Sequence, residues 1–289
     1  MRINTNVASL NSNRVLQLTN TAVARTLGRL SSGYRINRSA DDAAGLGIAN
    51  KLRADLRSLR QAARNAEQAN AMLQIAEGAV QSIQSIVERM KELATQAASA
   101  NTDDGGRKKI QAEFEQLLDE IDRIVETTKF QDVTLLKPDT STDTSFDFMV
   151  SSSGEYGDST NGAGSDFVTI NKEDLDLSGL GETIVESLPT DDTSSQAQWR
   201  DVLAKVDDAL GTVATALGAI GAAQNRIEHA FNNTNIAIEN YAAAESTIRD
   251  ADFAAEVAEL TRLQILQQSG IAMLAQANAA PQAILALLR

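Results

Sequence analysis

Residues 206–241 read VDDALGTVATALGAIGAAQNRIEHAFNNTNIAIENY. Val206, Leu210, Val213, Leu217, Ile220, Gln224, Ile227, Phe231, Thr234, Ile238 and Tyr241 alternate steps of four and three. That repeat belongs to a long helix packed along a straight partner. The spacing predicts a helix from about residue 195. Its partner is a second seam over residues 43–99: Leu52, Leu56, Leu59, Ala63, Ala66, Leu73, Ala76, Val80, Ile83, Val87, Met90 and Leu93, with a one-residue slip near Ala76. This helix would be about 85 Å long. Gly211, Gly218 and Gly221 each cost a helix about 1 kcal/mol against Ala, which close helix approach would offset. Ser39–Asp42 supplies capping groups before the 43–99 helix, and the NTDDGG run at 101–106 breaks it. Ile110, Phe114, Leu117, Ile121 and Ile124 predict a third helix folding back antiparallel and ending over 130–138.

Composition agrees with this pattern. In 289 residues aromatics are only 4%, which favours long helices with aliphatic seams over a broad globular core. There is no cysteine, hence no disulfide and no thiol ligand or nucleophile. A net charge of -13 argues against a general nucleic-acid binder. The charge is uneven: residues 1–65 are strongly basic and residues 139–192 strongly acidic. The acidic stretch is rich in Ser, Thr, Asp and Gly. Phe146, Phe148 and Val150 alternate there, and Phe167–Ile170 follow, so the insert reads as a β-hairpin with a small extra strand.

Both ends stay apolar at helical spacing. Ile3, Val7, Leu10 and Leu18 form one stripe near the start, with Leu16, Val23, Leu27 and Leu30 nearly opposite. A helix apolar on two sides is enclosed by protein; a break into two shorter helices is the other reading. Phe253, Val257, Leu260, Ile271 and Leu274 form a stripe near the end, interrupted by Gln264 and Gln267, and Leu287 and Leu288 follow. Ends normally fray and are polar. Apolar ends predict a partner surface, and other copies of the chain are the simplest supply of one. Alone, such ends are expected to become helical only on assembly. No stretch reads as a membrane span and the start lacks a secretory apolar region. Six Arg and no acid in residues 1–40 also resemble an organellar transit peptide, but the seam pattern runs on past residue 60.

Catalytic or metal chemistry is not expected. His229 is the single histidine and reads as a helix-face residue. Asp174 to Gly179 resembles the start of a calcium loop, but Val185 stands where a bidentate Glu is needed. Asp250, Asp252 and Glu256 read as capping groups. No cofactor is implied.

Leu30-Ser31-Ser32-Gly33-Tyr34-Arg35-Ile36-Asn37 with Asp41-Asp42-Ala43-Ala44-Gly45-Leu46, the opening Arg2-Ile3-Asn4-Thr5-Asn6, and the closing segments Ile265-Leu266-Gln267-Gln268, Ala275-Gln276-Ala277-Asn278 and Leu287-Leu288-Arg289 resemble bacterial flagellin of a short form without large outer domains. The resemblance covers about residues 1–137 and 200–289. It implies a mainly α fold: a long antiparallel helical coiled-coil rod at 45–250, including the hairpin insert 139–192, with residues 1–44 and 251–289 paired as an inner coiled-coil layer. It implies a homopolymeric extracellular filament assembled through Ile3, Val7, Leu10, Leu27, Phe253, Val257, Leu260, Ile271 and Leu274. It also implies export through the flagellar secretion apparatus without a cleaved signal peptide, an export chaperone, and cap and hook-junction proteins as partners. Recognition by a Toll-like immune receptor maps onto Arg89, Leu93 and Glu113, although Glu88 and Lys91 stand where receptor-active members usually carry Gln and Arg. A hook–filament junction protein shares the terminal features. An enzyme carried on a filament scaffold would need a catalytic group in 139–192, which has neither His nor Cys.

Overall fold

The computed structural model describes residues 6–137, 145–151, 167–186, 188 and 196–287, with side chains to residue 279. Ile3 and the final leucines therefore lie outside the described side chains, as does much of the acidic insert. The fold is mainly α. Among the described residues, six α-helices, two small hairpins and a 3-10 turn at Glu173–Leu175 are present: α1 (Val7–Ser32), α2 (Ala43–Ala97), α3 (Asp104–Thr127), β1 (Lys129–Phe130), β2 (Val133–Thr134), β3 (Ser145–Met149), β4 (Phe167–Asn171), α4 (Leu180–Val185), α5 (Gln196–Arg249) and α6 (Phe253–Leu287). Two compact units result: one holds the residues up to Leu56 and from Glu239 on, the other Arg57–Ile238.

The unit Arg57–Ile238 has a closed core. Ala66, Ala69, Leu73, Ala76, Val80, Ile83, Val87, Met90 and Ala94 of α2 are buried at the expected alternation. The slip falls earlier than expected, where Ala62 rather than Ala63 is buried. Gln224 Nε2 donates to Glu77 at 2.8 Å, Lys91 pairs with Asp207 at 2.7 Å, and Gln196 donates to the Ala98 carbonyl at 2.8 Å. As one set of numbers rises the other falls, so α2 and α5 are antiparallel.

On α5 the buried line is Trp199, Val202, Val206, Ala209, Val213, Ala216, Ile220, Ala223 and Ile227. Three of the eleven expected seam positions are displaced, because Ala209, Ala216 and Ala223 take the inner places of Leu210, Leu217 and Gln224. Small side chains there let the helices approach, and the neighbouring leucines cover the rim. The glycines do not serve close approach within the chain: nothing lies within 4 Å of a Cβ built at Gly211, Gly218 or Gly221. α5 is also long and apolar enough by length and composition to cross a membrane, contrary to the sequence expectation. Its Val206, Val213, Ile220 and Ile227 are buried in the protein core instead.

α3 returns along α2. Arg107 is buried and caps the end of α2, donating from Nε to the Ala97 carbonyl at 3.0 Å and from Nη2 to that of Ser99 at 3.3 Å. Asp103 caps α3 by accepting from Gly106 N–H at 3.0 Å. The inward residues are Ile110, Phe114, Leu118, Ile121 and Val125. Leu118 and Val125 replace the expected Leu117 and Ile124, because the buried line of a straight helix drifts against a strict seven-residue repeat. Phe114 meets Trp199 edge to face with ring centroids 5.8 Å apart.

The segment after α3 forms a hairpin that the sequence reading missed. Lys129 pairs with Thr134 and Phe130 with Val133. The two-residue turn between them places Gln131 at φ 47° and Asp132 at φ 68°. This conformation favours Asn-Gly. Exchanging Gln131→Asn together with Asp132→Gly should stabilise the fold by about 1 kcal/mol, read as a higher urea midpoint. The expected hairpin of the insert is present: β3 and β4 pair antiparallel from Ser145↔Asn171 to Met149↔Phe167. Thr234 Oγ1 ties α5 to it by donating to the Val150 carbonyl at 2.8 Å. α4 then crosses α3 so closely that a Cβ on Gly181 would lie 2.6 Å from Asp122 Oδ1.

Candidate assembly surface

In the other unit, α1 and α6 lie side by side. Asn6 Nδ2 donates to the Ala277 carbonyl at 2.8 Å, Gln267 Nε2 donates to Asn20 Oδ1 at 2.8 Å, and Arg29 pairs with Glu256 at 3.1 Å. The pair is antiparallel. Of the two glutamines in the terminal stripe, Gln267 thus bonds across the pair, while Gln264 is exposed. α1 is one unbroken helix, which decides against two shorter ones.

Large apolar side chains lie on both sides of this pair, and Ser and Thr share the inner side of α1 with Leu16, Val23 and Leu30. Ser9, Ser12, Leu16, Thr19, Val23, Thr26 and Leu30 are the covered side of α1. Leu260, Leu263, Gln267, Gly270, Leu274 and Ala277 are covered on α6. Leu16 packs over Gly270, where an added Cβ would stand 3.4 Å from its Cδ1. The open side carries large apolar groups: Val7 is 70% exposed, Leu10 61%, Phe253 64% and Ile271 54%, and Leu18, Leu27 and Val257 are also exposed. Val7, Leu10, Leu27, Phe253, Val257 and Ile271 are therefore open, while Leu260 and Leu274 are half covered. Val15, Ile265, Leu266 and Met273 extend the open surface. Each such side chain gains about 1.5–3 kcal/mol on moving from water to an apolar contact.

A polar joint fixes where this pair leaves α5. Gly33 ends α1 in the left-handed conformation at φ 75°, and its carbonyl accepts from Ala251 N–H at 2.9 Å. Arg35 N–H donates to the Arg249 carbonyl at 2.7 Å. The Arg249 guanidinium lies 4.0 Å from the Tyr34 ring centroid. Arg53 donates from Nε and Nη2 to Glu245, each at 3.0 Å. Asp252 caps α6 through Ala254 and Ala255 N–H, and Asp42 caps α2 through Gly45 N–H. The Arg38 N–H, aided by that of Asn37, holds the Asp41 carboxyl below its usual range.

The expected receptor residues divide. Arg89 Nη2 meets Glu113 at 3.0 Å and Nη1 meets Glu92 at 2.8 Å, all on the surface. Glu92 first, then Glu113, raise the Arg89 pKa above its usual value. Leu93 is only 2% exposed and belongs to the core. Residues four apart differ by about 40° around a helix, enough for one to lie inside the buried arc and the other outside it. His229 is exposed on α5. Among the described residues no group of three or more His, Cys, Asp and Glu is placed to hold a metal ion.

Long helices, closed seams in one unit and an open apolar pair in the other describe a structural chain. Residues 3–140 match the bacterial flagellin N-terminal helical region and residues 203–288 the bacterial flagellin C-terminal helical region. The chain is similar to flagellin from Halalkalibacterium halodurans, 39% identical over 289 residues and all of both chains. It is 38% identical to flagellin of Bacillus subtilis over 305 residues, and 36% to the flagellar filament 31.3 kDa core protein of Treponema maltophilum over 291, again across the full length of both. The crystal structure of Bacillus cereus flagellin aligns with a TM-score of 0.47 at 26% identity, over 59% of this chain and 88% of that one. The chain belongs to the bacterial flagellin family. It is a structural protein, not an enzyme.

Proposed function

We infer that the chain polymerises head to tail and laterally as the structural subunit of the helical filament of a bacterial flagellum. The observation that carries this reading is the open apolar face of α1 and α6, formed by Val7, Leu10, Phe253, Val257 and Ile271. Heterologous contacts that do not close produce a helical polymer. Residues 1–44 with 251–289 act as the assembly domain, and residues 45–250 as the helical rod. The filament is extracellular. The subunit reaches it through the flagellar secretion apparatus without cleavage of a signal peptide. An export chaperone covers the apolar C-terminal segment beforehand, and cap and hook-junction proteins bound the growing polymer. Electron microscopy of purified protein seeded with filament fragments tests the reading: long filaments are expected, and seeds that fail to elongate would contradict it.

The exposed Arg89–Glu113 pair supports a second role, recognition of the dissociated subunit by a Toll-like receptor. Lys91 beside it is engaged by Asp207 and offers a point charge rather than the fork of an arginine. Arg89→Ala should weaken the signal at least about tenfold in a receptor-reporter assay, the loss expected of a charged contact; unchanged potency would remove this role.

A further inference from the structure

Two charged stripes in the unit Arg57–Ile238 share one rhythm. On α2, Arg57, Arg60 and Arg64 are exposed and step by three and four. At 100° per residue they fall within an arc of about 60°, on the side away from the buried line of Ala62, Ala66 and Ala69. On α3, Glu115, Asp119, Asp122 and Glu126 step by four, three and four and are also exposed, with Asp122 at the edge where Gly181 of α4 passes. They too share an arc of about 60°. The order 57, 60, 64 matches 119, 122, 126 directly and 115, 119, 122 in reverse.

Among the described residues neither stripe is fully paired. Among the described residues Arg57 and Arg60 form no ion pair, and Arg64 bonds its neighbour Gln61. Glu115 accepts from Gln111, and Glu126 meets Lys137 at 3.3 Å with both side chains more than half exposed. Burial first, then the carboxylates of Asp119, Glu126 and Glu182, hold the Asp122 carboxyl above its usual range. Crowded like charges of this kind gain from an approaching cation. Matched spacing and opposite sign suit another copy of the same chain as the occupant.

We propose that the arginine stripe Arg57, Arg60 and Arg64 of one copy docks on the carboxylate stripe of α3 in a neighbouring copy. The inference rests on the filament reading and adds an electrostatic contact that sets register between subunits. Charges in register suppress a sliding misfit that an apolar surface tolerates.

Charge exchange tests it. One variant carries Arg57→Glu and Arg60→Glu, another Glu115→Lys and Asp119→Lys, and a third all four changes. Monomer thermal unfolding confirms that each is folded. The critical concentration for seeded elongation should rise at least about tenfold in each half-exchanged variant and return to within about threefold in the fourfold variant, the pattern of a coupled pair. An equimolar mixture of the two half-exchanged proteins should also elongate. Added sodium chloride should raise the critical concentration of the unmodified protein. Half-exchanged variants that elongate normally would overturn the proposal, as would a fourfold variant no better than its parents. Failure of the unmodified protein to elongate from seeds would instead remove the filament reading, and this contact with it.

Discussion

Replacing Leu10→Asp and Leu18→Asp leaves the lone subunit as stable as before and stops it from polymerising. Both side chains are 61% exposed on the face of α1 turned away from α6, so neither supports the fold of a single chain. In a polymer they lose about 1.5–3 kcal/mol each of apolar burial. A carboxylate in the same place adds the cost of desolvating an unpaired charge. With about 1.4 kcal/mol per decade, the critical concentration should rise at least about 100-fold. Sedimentation after seeding measures this, and thermal unfolding of the monomer is the control. Leu16→Asp is the contrasting case: Leu16 is half covered and packs over Gly270, so this change should weaken the α1–α6 pair itself.

Phe114→Ala has the opposite profile. Phe114 is fully buried and its ring meets Trp199 edge to face. Removal leaves a cavity between α3 and α5, and a loss of about 3–5 kcal/mol is expected. The urea midpoint of the monomer should fall accordingly. Because the open face of α1 and α6 is untouched, folded protein at low temperature should still elongate from seeds. The two variants together separate folding from assembly, which a helical chain with a single continuous core could not do.

The helices were legible because their signals are local. Seams of three and four, Asp42 among the caps before residue 43, Asp252 among those before the last helix, and the break at Asn101–Gly106 locate α2, α3, α5 and α6. The first hairpin was not legible: its turn is built from Gln131 and Asp132 at positive φ, without the glycine that usually marks one. α4 has six residues, too few to display a period. Choosing the largest apolar residue at each step displaced part of the α5 seam, since the structure buries Ala209, Ala216 and Ala223 instead. Leu93 was legible as a seam residue and is buried; only the resemblance mapped it beside Arg89 as a surface contact. The apolar terminal stripes were visible in sequence. That serines, threonines and Gln267 would share the inner side of the α1–α6 pair with Leu16, Val23, Leu30, Leu260, Leu263 and Leu274 was not, because sequence reading assumes polar residues turn outward. Nor does any local pattern join Arg53 to Glu245, 192 residues apart.

Solitary subunits leave Val7, Leu10, Leu18, Phe253, Val257 and Ile271 in water. A cryo-electron microscopy reconstruction of filaments grown from this chain shows directly what becomes of them. These six side chains should lie buried between copies, packed against α1 or α6 of their neighbours. A filament in which they still face solvent, with subunits joined through other surfaces, would contradict the account.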